Sequence, residues 1–145
     1  MITLTLLVLA TLFLAYSNGA NDNFKGVATL FGSGTTSYRS AITWATISTF
    51  AGSITSFFLA ETLLKNFSGR GLVPNELNPG QGFIANLVTS SLVILASRFG
   101  LPISTTHVSV GSLFGIGLIT GEANRRVVSG ILMSWLLTLP IAAIY

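Results

Sequence analysis

Cysteine is absent from the 145 residues, which excludes disulfides and thiolate metal sites. One histidine and four acidic residues offer no combination of base, nucleophile and metal ligand, so neither a metal site nor a catalytic residue is expected and the chain does not read as an enzyme. Charge itself is scarce. Only 8% of residues are charged, against about a quarter in an ordinary soluble domain, while 50% are hydrophobic and the mean hydropathy is +0.76. The net charge of +3 rests on scattered Lys and Arg near segment ends, an anchoring pattern and not a nucleic-acid surface.

These shortages define an integral membrane protein. At about 20 residues per crossing the chain has room for roughly five spans joined by short loops, an all-α polytopic fold with no soluble domain. Residues 1–145 therefore read as a single transmembrane unit, without an internal repeat. The first apolar run, 2–16, lacks the basic start and the cleavage site of a signal peptide and is read as part of the fold.

Two interruptions organise the chain. Run 2–16 leads into Ser17-Asn18-Gly19-Ala20-Asn21-Asp22-Asn23 and then into a second apolar piece, 24–33, the pattern of a discontinuous membrane helix. Residues 41–64 form the next span, with Trp44 near one end and Lys65 past the other, and 65–82 form the one extramembrane loop, rich in Gly and Pro. Span 83–99 meets a second break at Gly100-Leu101-Pro102-Ile103-Ser104-Thr105-Thr106-His107, where Pro102 removes a backbone donor and the hydroxyls re-satisfy freed groups. Segment 108–120 carries Gly111 and Gly115 at GxxxG spacing, read as generic close packing. The last span, 127–145, contains Pro140 as an expected kink. Outside the first break the basic residues split into Lys65, Arg70, Arg125 and Arg126 against Arg39 and Arg98, a bias that leaves orientation open.

An ionised carboxylate in hydrocarbon costs at least about 2.5–3.5 kcal/mol, so Asp22 marks a solute or ion path. Broken helices expose N–H groups and a positive dipole end to anions, and freed carbonyls to cations. Helix starts near Asn21 and near Ser104, folded toward mid-depth, would face one buried site. Around it would stand Asn18, Asn21, Ser104, Thr105 and Thr106 as ligands of an oxyanion, with Asp22 as the cation or proton ligand. Plainer readings stand beside these. Ser104, Thr105 and Thr106 would back-bond to the preceding turn; His107 would be a packed ring; Glu61 would snorkel; Lys25 and Asp22, three residues apart, would form an internal ion pair.

The segment Asn18-Gly19-Ala20-Asn21-Asp22, the pair Glu61-Thr62 and the stretch Leu101-Pro102-Ile103-Ser104-Thr105-Thr106-His107 resemble the repeat signature of the inorganic phosphate transporter family. The final Trp135, Thr138 and Pro140 also look like its C-terminal helix. The resemblance implies a multi-pass protein of the cell (plasma or inner) membrane that moves phosphate by symport with Na⁺ or H⁺ and needs no bound cofactor. Residues and resemblance together give an expected site in which Asn21, Ser104, Thr105 and Thr106 bind the anion and Asp22, with Asn18, serves the coupling ion. Family members usually carry two inverted repeats. A single five-span repeat would rebuild that architecture as an antiparallel homodimer, or by pairing with a second half-size subunit. Sulfate is the rival substrate because the same donors fit it, and a channel or a non-transporting subunit is the rival class. This chain departs from the family pattern at Phe24-Lys25, where Ala-Asn is usual: an ammonium replaces an amide, and Lys25 becomes a charge partner for Asp22 or for the anion.

Overall fold

The computed structural model describes residues 1–59, 72–73 and 77–144. The expected roles of Glu61, Thr62 and Lys65, and most of the 65–82 loop, fall outside the described residues. Among the described residues six α-helices follow one another: α1 Ile2–Asp22, the single-turn α2 Ala28–Gly32, α3 Tyr38–Leu59, α4 Pro79–Arg98, α5 Thr105–Thr120 and α6 Arg125–Ile144. Among the described residues there is no strand, as an all-α chain requires.

Among the described residues four stretches are long and apolar enough to cross a bilayer: Ile2–Gly32, Tyr38–Leu59, Pro79–Arg98 and Arg125–Ile144. The fifth expected span, α5, has 16 residues and is about 24 Å long, short of the roughly 30 Å hydrocarbon layer. The chain exposes 10433 Å², where a water-soluble monomer of 15.3 kDa would expose about 7,200 Å². Leu9 and Leu12 of α1, Phe50 and Phe57 of α3, and Leu136 and Leu139 of α6 are among its exposed apolar side chains. Such a surface suits hydrocarbon and not water. This is a multi-pass helical membrane protein.

Helices α1 and α4 run parallel and nearly in register. Leu7 lies against Gly82, Asn86 Nδ2 donates to Thr11 Oγ1 at 2.9 Å, and Asn21 Nδ2 donates to Ser97 Oγ at 2.7 Å. Both helices therefore end together, at Asp22 and Arg98. Helix α4 starts earlier than the sequence reading placed it, at Pro79 instead of residue 83. The cause is a capping box: Asn78 Oδ1 accepts from Gln81 N, Gln81 Oε1 accepts from Asn78 N, and Pro79 fixes φ at the first helical position.

Helices α4 and α5 form an antiparallel hairpin through the second break. Gly100 takes the left-handed conformation (φ 67°), Leu101 N donates to Ala96 O at 2.9 Å and Gly100 N to Ser97 O at 3.1 Å, closing α4 in a Schellman motif before Pro102 bars its continuation. Gly121 (φ 75°) closes α5 in the same way, with Glu122 N donating to Gly117 O at 2.8 Å. Helix α6 then returns along α5. Val127, Val128 and Ile131 pack with Val110, Leu113 and Phe114 around Leu72 and Val73, the small core at this end. Helix α6 continues through Pro140 to Ile144, and Thr138 Oγ1 donates to Ser134 O at 2.6 Å just ahead of the proline. Gly111 and Gly115 meet no neighbour at all within 4 Å of an added Cβ; they border a cavity beside α4 and pack against nothing closely.

Candidate functional site

The first break lies later than the sequence suggested. Asn18, Asn21 and Asp22 belong to the last turns of α1, and Asn23 continues its geometry (φ −60°), with its N–H bonded to Gly19 O at 3.1 Å. The chain leaves the helix only at Phe24, passes through a 3₁₀ turn over Lys25–Val27 and enters α2, which has five residues. The expected helix start near Asn21 is thus a helix end, where orphan carbonyls and the dipole concentrate negative charge. Asn and Gly disfavour helix interiors, but packing along α4 and the Asn21–Ser97 hydrogen bond outweigh that preference.

Where this break sits is set by Asn23. Its amide donates to Thr46 Oγ1 at 3.0 Å and accepts from Thr49 Oγ1 at 2.8 Å, clamping the break to α3 about 12–16 Å from that helix's first residue. That is half-way along α3, not at its end. Phe24, Phe31 and Tyr38 pack their rings together at 5.2–5.9 Å and brace the returning strand of chain.

The second break is built as expected. Ser104 is the N-cap of α5, its Oγ accepting from His107 N at 3.4 Å, and the helix starts at Thr105. The two breaks meet through Lys25: its Nζ donates to Asp22 Oδ1 at 2.5 Å, to Asn21 Oδ1 at 2.6 Å and, across 78 residues of sequence, to Ile103 O at 2.9 Å. The ion pair read from the sequence is present, but it is part of a larger joint.

Beside this joint lies a cavity of about 860 Å³ between α1, α5 and α6. Asn18, Thr105 and Thr106 line it, together with Thr11, Ser109, Ser134 and Trp135. Thr105 Oγ1 is shielded and has no hydrogen-bond partner, so back-bonding does not occupy it. The structure therefore divides the predicted residues into two groups. Asn18, Thr105 and Thr106 share the cavity at the α5 start; Asn21 and Asp22 hold Lys25; Ser104 caps the helix between them. His107 stacks on Trp135 at 3.6 Å and 24° but stays exposed, so one face of the ring is packed and the rest is not enclosed. Sequence reasoning missed Asn23, Ser97 and Ser109. A polar stripe at helical spacing was visible on α4, in Asn86, Thr89, Ser90 and Ser97, and could have flagged Ser97.

The described residues thus form a multi-pass helical bundle in which Lys25 joins two broken segments beside a cavity that carries polar side chains. The phosphate transporter family matches residues 65–145, and the chain belongs to that family. Relatives include a protein of Chlamydia pneumoniae named as a candidate phosphate permease, 33% identical over 142 residues, which cover 94% of this chain and 33% of the relative. A protein of Thermococcus kodakarensis, also named as a candidate phosphate permease, is 44% identical over 71 residues (48% of this chain, 18% of the relative). The chloroplastic inorganic phosphate transporter 2-1 of Arabidopsis thaliana is 43% identical over 70 residues (47% and 12%). The chain spans a third or less of the length of these relatives. No solved structure matches it.

Proposed function

We propose that this chain is a unit of a secondary carrier that moves inorganic phosphate across the membrane, with the anion held in the cavity at the start of α5. The observation that supports this most is the unpartnered Thr105 Oγ1 at that helix start, next to Thr106 and Asn18. Free N–H groups and the positive dipole end favour an anion there, and the hydroxyls and the Asn18 amide add donors. Of the two roles read for Asn18 from the sequence, oxyanion donor and coupling-ion ligand, its place in this cavity supports the first. Asn21 and Ser104 contribute by fixing the two breaks around it. Ions moved together with the anion, Na⁺ or H⁺, belong to this proposal and not to the fold.

Uptake of radiolabelled phosphate into proteoliposomes, against an ion gradient and with sulfate as competitor, tests the reading. Phosphate should be concentrated and sulfate should compete weakly; passive equilibration would indicate a channel, and preferred sulfate a sulfate carrier. Thr105→Val removes one neutral hydrogen bond, worth about 1 kcal/mol, and should raise the KM for phosphate about fivefold. An unchanged KM would move the anion elsewhere.

The partner is a proposal as well: a second copy inserted in the opposite orientation, or a second subunit of similar size, would cover the exposed surface and complete the site. A cysteine tag at the α5–α6 turn distinguishes these. Gly121 is unsuitable because its φ of 75° strains any side chain, so the tag goes at Glu122, whose charge has little influence on topology. Labelling of Glu122→Cys from both sides of the membrane is the expected result, and labelling from one side only rules out the inverted pair.

A further inference from the structure

Lys25 takes no part in lining the anion cavity, yet its ammonium uses all of its donors. The three acceptors are of different kinds: the Asp22 carboxylate, the Asn21 amide oxygen and the main-chain oxygen of Ile103 in an unwound segment. That is a donor set for a hard monovalent cation, which takes carboxylate, amide and carbonyl oxygens and is favoured at the C-terminal end of a half-helix. Helix α1 ends at Asp22, so its last carbonyls add partial negative charge at the same point. One carboxylate and these dipoles call for one positive charge. The protein brings it covalently, on a side chain rooted in the 3₁₀ turn that follows the break.

We infer that the Lys25 ammonium is a tethered cation in a site otherwise suited to sodium, so that the chain needs no sodium to hold its two breaks together. Only the uptake arm of the test rests on the phosphate reading. Lys25 and Asp22 keep 49% and 40% of their side-chain surface uncovered by this chain, which leaves room for further oxygen ligands to complete the shell of a bound sodium. Removing the ammonium should then create a sodium site.

The test compares the full chain in sodium chloride and in choline chloride at equal strength. The thermal midpoint of the wild type in detergent should be the same in both. That of Lys25→Ala should rise with sodium to a plateau, and the rise should vanish in Lys25→Ala/Asp22→Asn. If Lys25→Ala does not fold, Lys25→Met, which keeps the stem, carries the same comparison. In proteoliposomes the wild type should take up phosphate equally in both salts, whereas the Lys25 variant should be stimulated about tenfold by sodium. Sodium stabilisation of the wild type, or indifference of the folded Lys25 variants to sodium, overturns the inference. Absence of phosphate uptake under all conditions, with sodium still stabilising the Lys25 variants, overturns the phosphate reading alone.

Discussion

Replacing Asp22 by asparagine is expected to lower the maximal rate of phosphate uptake about 10- to 100-fold without unfolding the protein. Asp22 supplies the charged acceptor of the joint at 2.5 Å from Lys25 Nζ. Each 1.4 kcal/mol is a factor of about ten in rate, so the expected loss corresponds to about 1.4–2.8 kcal/mol of interaction that the carboxylate makes only while the ions are in transit. Both side chains remain about half exposed, so the pair contributes little to folding stability, and helical content and thermal midpoint should be nearly unchanged. The substitution also leaves Lys25 with an unopposed positive charge beside Asn21, at the end of the helix that carries Asn18. That charge deepens the well for an anion, so KM should stay level or fall while the rate drops. Initial-rate measurements over a range of phosphate concentrations separate the two quantities. Full concentrative uptake by Asp22→Asn would remove the carboxylate from the mechanism.

Gly117→Val should destabilise the protein by about 2–4 kcal/mol, the largest effect on folding expected of any single residue described above. Gly117 is buried, and a Cβ there would come within 3.0 Å of Ala123 Cα and 3.3 Å of Ala123 N, both backbone atoms that cannot rotate away. Its carbonyl accepts from Glu122 N and Ala123 N, so any shift also opens the turn that returns α6 along α5. Gly115→Ala, on the same helix with open space around it, should change stability by less than about 0.5 kcal/mol. Thermal midpoints in one detergent compare the two variants. Equal midpoints would mean that α6 does not depend on this close approach.

The membrane class, the second break and the start of α5 were legible because their causes are local. Gly100, Pro102 and Ser104 end one helix and begin the next by φ, by a missing donor and by a cap, all within five residues. The start of α4 was equally local, but the Asn78–Gln81 box reads as loop because Pro79 and Gly80 count with the other glycines, prolines and charges of residues 65–82. The continuation of α1 through Asn18 and Asp22 was not legible: local preference points to a break, and what overrides it is Ser97, 76 residues away. Lys25 shows the same limit. Its pairing with Asp22 follows from helical spacing, whereas its contact with Ile103 O depends on how two distant breaks are brought together.

The double clamp of Asn23 on Thr46 and Thr49 has a mechanical consequence. Any rearrangement that preserves both bonds must drag α3 along with the tip of α1, so the two travel as one lever. A rod pushed near its middle shifts bodily instead of swinging about one end, so a displacement near Lys25 is carried to both ends of α3.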